Sequence, residues 1–405
     1  MKPHALAAIT TGLCVAVLPV AGAQADVFNG RIAFSSFRVD PPAGQTRTGD
    51  IFSMNPDGSD LRQLTDNPAD DAQSDWAPDG RDIVYRIRKP GFTTNFEVSR
   101  MTAAGQEHQR LTFTDTGQAS SQPAWFPDKS AILFRRSSPG ASSIWQMGTS
   151  GESPVLRYDP PGGQFYPSLS PDMSKVIFAT VTSPTGDTDR AVQTLNPDGT
   201  GLATLFDVVG AFDSAPAWSP DGTKIAFESN SNVDGANPEG DMEIWIMDAD
   251  GANPTQVTHN ALHDEGPAWS PDQTMLTYSS GADNLHLDIN VMTAAGVHLR
   301  QLTDYEGRDE SPDWQSIPAP ATDRRCGDVA DTGPGARDVR AAGHRLSCRK
   351  ALRIAAGWSP TGTRCRPRGY DAEVTDFGGT LRVVLTHRGN HHRDNAKLVA
   401  FLYQP

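Results

Sequence analysis

Residues 216–227 read Pro-Ala-Trp-Ser-Pro-Asp-Gly-Thr-Lys-Ile-Ala-Phe, and residues 244–258 continue Ile-Trp-Ile-Met-Asp-Ala-Asp-Gly-Ala-Asn-Pro-Thr-Gln-Val-Thr. Imperfect copies run through the chain at a period of roughly 45 to 50 residues, which in β-rich sequence is the mark of a radial array of four-stranded blades. The Trp of the phrase recurs at Trp76, Trp125, Trp218, Trp269 and Trp314, with Leu169 in its place once. It marks the first strand of each blade. The second strand carries apolar residues two apart, as at Ile32/Phe34, Ile83/Tyr85 and Ile225/Phe227, the spacing of a half-buried strand. The third carries pairs three apart, such as Ile51/Met54 and Ile244/Met247, which suits strands covered on both faces.

The two ends of the array are complementary. It opens on a second strand, Gly30-Arg31-Ile32, with no Trp strand before it, and it stops at Pro312-Asp313-Trp314-Gln315, a first strand with nothing after it. Pairing these fragments removes two sheet edges that would otherwise invite aggregation. The expected fold is an all-β, six-bladed propeller closed by its terminal strands, followed by a small α+β domain. Turns such as Ser219-Pro220-Asp221-Gly222 and Asn55-Pro56-Asp57-Gly58 confirm the phase, with Pro second and Gly fourth as in a type I turn. Asp248-Ala249-Asp250-Gly251 is read as a turn, since it lacks the rest of a calcium-loop ligand series.

The repeats P-A-W-S-P-D-G, I-A-F and D-A-D-G-x-x-x-x-Q-x-T resemble those of TolB-like propellers, over roughly residues 29 to 315. They also resemble the propeller domains of prolyl oligopeptidase relatives. The resemblance implies a fold more than an activity: such propellers include envelope scaffolds that bind other proteins and substrate-filtering domains attached to hydrolases. Lys129, Met173 and Gln273 stand where the turn Gly is usual, and the repeat from Ser168 to Phe206 is the most degenerate.

The chain divides into a secretory leader at 1–25, the propeller at 26–317, a linker at 318–323 and a basic domain at 324–405. The leader has Lys2, an apolar stretch from Ala5 to Gly22 and small residues at Ala23-Gln24-Ala25, so the mature protein is expected outside the cytoplasm, in the periplasm or at the cell surface, as a monomer with no membrane span. From Pro320 onward there are 15 Lys/Arg against 8 Asp/Glu, leaving 19 basic and 41 acidic residues between Asp26 and Ala319. That field repels phosphate and argues against a nucleic-acid partner for the propeller. In the tail, Ser347–Trp358 reads as a helix, and strands are expected near Leu381–Leu385 and Lys397–Leu402. Cys326, Cys348 and Cys365 are the cysteines beyond the leader and allow three single disulfide pairings with one thiol left over. The tail resembles small secreted domains of high-GC bacteria that carry a further Cys near the last strands, where this chain has Val383-Val384-Leu385-Thr386. Its Arg-rich surface suits an anionic wall polymer or lipid, or a solubilising role.

Function is sought on the face where connections vary in length: Arg38 to Asp50, Lys89 to Asn95, Val181 to Asp189, Asn230 to Asp241 and Gly281 to Asp288. On that face, five positions before the Trp, stand Asp71, Ser120, Gln164, Asp213, Asp264 and Asp309, with Glu265 and Glu310 next to two of them. Converging carboxylates need a cation among them, so the expected site is an acidic channel mouth holding calcium, another divalent cation, or a Lys- or Arg-bearing peptide. A competing reading makes each Asp a local cap where one blade hands over to the next. No G-x-S-x-G nucleophile elbow occurs. His263 beside Asp264 and Glu265 is the constellation for a metal. The leading expectation is a non-catalytic propeller that binds a protein, peptide or glycan in the cell envelope through its acidic loop face. A metal-dependent lyase or hydrolase with its site at the channel mouth is the alternative, and a purely structural envelope component a third.

Overall fold

The computed structural model describes residues 27–38, 48–88, 95–159, 163–183, 189–235 and 237–318, and five strands beyond them. The leader, the helix expected over Ser347–Trp358 and the pairing of Cys326, Cys348 and Cys365 lie outside the described residues. Six four-stranded antiparallel sheets form the propeller. Blade 2 runs Asp71–Trp76, Asp82–Arg88, Phe96–Thr102 and Gln109–Arg110, and blades 3 to 6 begin on inner strands Ala119–Trp125, Gln164–Leu169, Asp213–Trp218 and His263–Trp269. Blade 1 is composite. Its inner strand Asp309–Pro318 comes from the end of the array and pairs with Val27–Ser36 from the start, with Ile32 opposite Trp314 and Ser36 opposite Asp309.

Closure reaches beyond the strand ladder. The Arg31 N–H donates to Gln315 Oε1 at 3.0 Å, and Gln315 Nε2 donates to the Gly80 carbonyl of blade 2 at 2.7 Å. The Asp272 N–H of blade 6 donates to Asn29 Oδ1 at 3.1 Å. A Cβ at Gly30 would stand 2.6 Å from the Gln315 side chain and 2.8 Å from its carbonyl, so the seam closes only around glycine there.

Third-strand pairs such as Ile51/Met54 and Ile244/Met247 are almost wholly buried, as expected of strands between neighbouring blades. The Thr that ends the repeat also finds its reason. Thr65, Thr112, Thr258 and Thr303 accept the N–H groups of Ile51, Val98, Ile244 and Ile289 at 2.8–2.9 Å, satisfying third-strand donors at the point where the outer strand has ended. Blades 3 and 4 lack the Thr and have four-residue outer strands, Val155–Tyr158 and Ala203–Phe206. One expected loop is corrected: Gly281 to Asp288 is mostly strand, since Met275–Asp283 and His286–Thr293 continue to a tight tip whose Leu285 is 65% exposed.

Beyond the propeller, five strands form a separate antiparallel sheet in the order Arg324–Gly327, Ala336–Ala341, Lys397–Tyr403, Thr380–His387, Tyr370–Asp376. Both strands expected in the tail are present.

Lys129, Met173 and Gln273, which replace the turn glycine, all adopt left-handed φ of 59 to 64°. Lys129 has compensation, because its ammonium lies 2.8 Å from Asp79 and 2.6 Å from Asp82 of the preceding blade. Met173 has an exposed side chain and no such partner among the described hydrogen bonds. Met173→Gly is therefore expected to raise stability by about 0.5–1 kcal/mol, through relief of the left-handed strain. Lys129→Gly should gain less, or lose, and equal gains measured by chemical denaturation would refute the compensation.

Candidate functional site at the channel mouth

Every inner strand is interrupted at the same place. Two residues after each lead position the backbone turns left-handed, at Gln73, Gln122, Tyr166, Ala215, Gly266 and Ser311, with φ between 45 and 62°. A register shift spans this residue in each blade, as in a β-bulge. Five of the six are not glycine, so the strain is held by the surroundings. The preceding blade supplies the restraint. The N–H of Gln73 donates to Ser35 Oγ at 3.1 Å, that of Gln122 to Gln73 Oε1 at 3.2 Å, that of Tyr166 to Gln122 Oε1 at 3.1 Å, and that of Gly266 to Glu228 Oε2 at 2.8 Å.

Below this ring lies a channel cavity of about 350 Å³ walled by prolines at equivalent positions, among them Pro123, Pro216 and Pro312. Its charged residues are Asp75 and Asp313, where the other blades have Ala124, Ser168, Ala217 and Ala268. Each ties one blade to the next: Asp313 accepts from the Trp76 N–H at 2.6 Å and Asp75 from the Trp125 N–H at 2.8 Å. Burial drives both carboxyls upward, that of Asp313 to about 7.

The lead residues themselves are completely buried. Asn67 donates to Asp71 at 2.5 Å, Ser229 to Asp213 at 2.5 Å and Asn260 to Asp264 at 2.8 Å, while Asp309 takes the guanidinium of Arg38. The four aspartates thus sit in the propeller wall, with acidic neighbours at the start of the preceding third strand: Asp50 by Asp71, Glu243 by Asp264, and Asp288 by Asp309. Burial pushes Asp71, Asp213 and Glu243 up to about 7.

Glu265 and Glu310, one residue further on, belong to a different ring. The position after each lead residue and its cross-strand partner on the second strand form six pairs: Ala72/Arg86, Ser121/Arg135, Phe165/Ala179, Ser214/Glu228, Glu265/Ser279 and Glu310/Ser35. In blade order from 2 round to 1, one large group per pair gives Arg86, Arg135, Phe165, Glu228, Glu265, Glu310. Two arginines are followed by an aromatic residue and three glutamates. Arg135 and Arg190 both stack on Phe165, at 4.3 and 3.8 Å from its centroid, and Arg86 stacks on Phe96 at 4.2 Å while bonding Asp70 at 3.2 Å. On the acidic side, Arg308 bonds Glu265 at 3.1 Å and also Glu310, and His263 Nε2 lies 2.9 Å from Glu265. The half-buried phenol of Tyr166 lies among these groups; desolvation raises its pKa first, and the charges of Glu228 and Glu265 add to it.

Of the residues expected at the mouth, Glu265, Glu310 and His263 therefore meet there, whereas Asp71, Asp213, Asp264 and Asp309 stand behind it. Among the described residues, no group of three His, Cys, Asp or Glu is placed to hold a metal ion, and His286 pairs with Asp283 on the exposed hairpin. Reading one position at a time missed the arginines, since Arg86 and Arg135 lie on the second strand. Aligning that strand across blades would have found them.

The fold and its mouth define a six-bladed propeller of the up-and-down type with a charged axial opening. Residues 42–213 match the family described as TolB beta propeller domain, and the chain carries a TolB-like β-propeller. An uncharacterized protein of Agrobacterium fabrum is 32% identical over 159 residues, covering 38% of this chain and 52% of that protein, so the match spans about half the relative's length. TolB from Acinetobacter baumannii superposes with a TM-score of 0.58 at 20% identity, over 71% of this chain and 66% of that one. A proposed TolB from Agrobacterium tumefaciens gives 0.52 at 18% identity, over 73% and 100%. At these identities the likeness shows the fold.

The buried carboxyls impose a pH dependence. Asp71, Asp213, Glu243 and Asp313 hold protons more tightly folded, at about 7, than unfolded, at about 4. Their stabilising contribution is complete below the unfolded value and is lost as pH rises through the folded one. The melting temperature should be higher near pH 5 than near pH 8, and Asp213→Asn should narrow the gap. A melting temperature that is higher at the alkaline end would contradict this account.

Proposed function

We propose that this protein is a non-catalytic, extracytoplasmic binding propeller whose partner, a protein or peptide of the cell envelope, docks on the variable-loop face at the channel mouth. One observation carries the reading: charged side chains from separate blades gather around Tyr166 at positions where the repeat itself requires no charge. Ala72, Ser121, Ser214 and Ser279 fill the equivalent sites elsewhere, so the charges are additions to the scaffold. Rigid rings that present additions on one face are suited to recognition. The acidic side, Glu228, Glu265 and Glu310, favours a partner that brings a Lys or Arg side chain. The leader expected at residues 1–25 and the TolB-like fold support a location outside the cytoplasm. The basic C-terminal sheet serves in this reading as an accessory or surface-attachment module.

Affinity capture from the native envelope tests this directly. The wild-type chain should retain a partner that Glu265→Gln/Glu310→Gln loses by about tenfold or more, with folding unchanged by melting; desolvated charge contacts are worth that much. Equal capture by wild type and double variant would remove the mouth from the reading.

A further inference from the structure

The division of the ring bears on what its occupant must carry. Arg86 and Arg135 follow one another on blades 2 and 3, Arg190 joins them through Phe165, and the three glutamates follow on blades 5, 6 and 1. The glutamates are held from their own side: Glu228 accepts the Gly266 N–H, while Glu265 and Glu310 share Arg308. Arg86 is held from its side by Asp70 and by stacking on Phe96. The Nε–H of Arg86, like that of Arg308, is buried with no hydrogen-bond partner among the described residues. No hydrogen bond among those described joins the two halves, although Arg86 and Glu310, on adjoining blades, attract one another across the divide, as do Arg190 and Glu228.

A ligand of one sign gains on one half of such a ring and meets like charge on the other. A ligand carrying both signs gains on both, and does so in one orientation only. The aromatic group between the halves, Phe165, adds a platform for the aliphatic or amide part that joins the two charges. Resting on the binding reading above, we propose that the mouth selects a bipolar polypeptide segment, with a Lys or Arg side chain on the Glu228–Glu265–Glu310 half and a carboxylate on the Arg86–Arg135 half.

Fluorescence anisotropy on the full chain distinguishes this from simple acidic recognition. The probes are short labelled peptides of equal length bearing Lys and Glu together, Lys alone, Glu alone, or neither. The mixed peptide should bind about tenfold more tightly than either single-sign peptide. Arg86→Gln should weaken the mixed peptide by a similar factor and leave the Lys peptide unchanged, whereas Glu310→Gln should weaken both. Arg135→Gln serves as the second variant if Arg86→Gln fails to melt cooperatively. A Lys peptide that binds as tightly as the mixed one, with no effect of Arg86→Gln, overturns the bipolar requirement while leaving partner capture at the mouth intact. Absence of binding by every peptide to the folded chain also overturns it, and the capture experiment then decides separately whether the mouth binds anything.

Discussion

The antiparallel pairing of Asp309–Pro318 with Val27–Ser36 is the constraint on which the rest depends. Six wedges surround an axis only if the last meets the first, and here the joint lies inside a blade, between two strands that share a core. Ile32 and Phe34 from the start of the array pack with Trp314 from its end and with Met275 and Ile289 of blade 6. Burying side chains of this size contributes roughly 1.5–3 kcal/mol each, and the polar latches at Arg31, Gln315 and Asn29 specify the register. Without that joint the lead residues would have no neighbours to bury them and the mouth would have no fixed circumference.

Within the closed ring, geometry passes from blade to blade through the left-handed residue of each inner strand. At four of the six, a side chain of the preceding blade holds its amide, so a displacement of one inner strand strains the next. Glu228 shows how structure and recognition share one residue. Its carboxylate holds the Gly266 N–H and also forms part of the acidic side of the mouth. Arg308 likewise bridges Glu265 and Glu310 and orients both. The resulting site is stiff, and a partner loses little freedom by fitting it.

The fold was legible because each blade repeats the same physical requirement. Trp76, Trp125, Trp218, Trp269 and Trp314 mark inner strands, and Gly30 beside Gln315 marks the seam. The mouth was only half legible. Periodicity picked out Asp71, Asp213, Asp264 and Asp309, yet a position that recurs in most blades serves blade packing, and these carboxyls are buried in the wall. Their neighbours Glu265 and Glu310, which break the pattern, reach the mouth. Arg86 and Arg135 went unseen because they meet the inner strand through cross-strand register, which becomes readable only once pairing is known. The variable-loop argument fared worst at Gly281 to Asp288, where a polar stretch that looked like a connection is a prolonged hairpin.

The composite blade has a mechanical consequence. The segment that leads toward the C-terminal sheet is the same strand that seals the ring, so tension applied through that sheet while a partner grips the mouth falls first on the Asp309–Pro318 ladder. The blade through which the ends of the array meet is therefore also its fuse. Peeling it would release Asp313 from Trp76 and Arg308 from Glu265 together, and grip and shape would fail in one event.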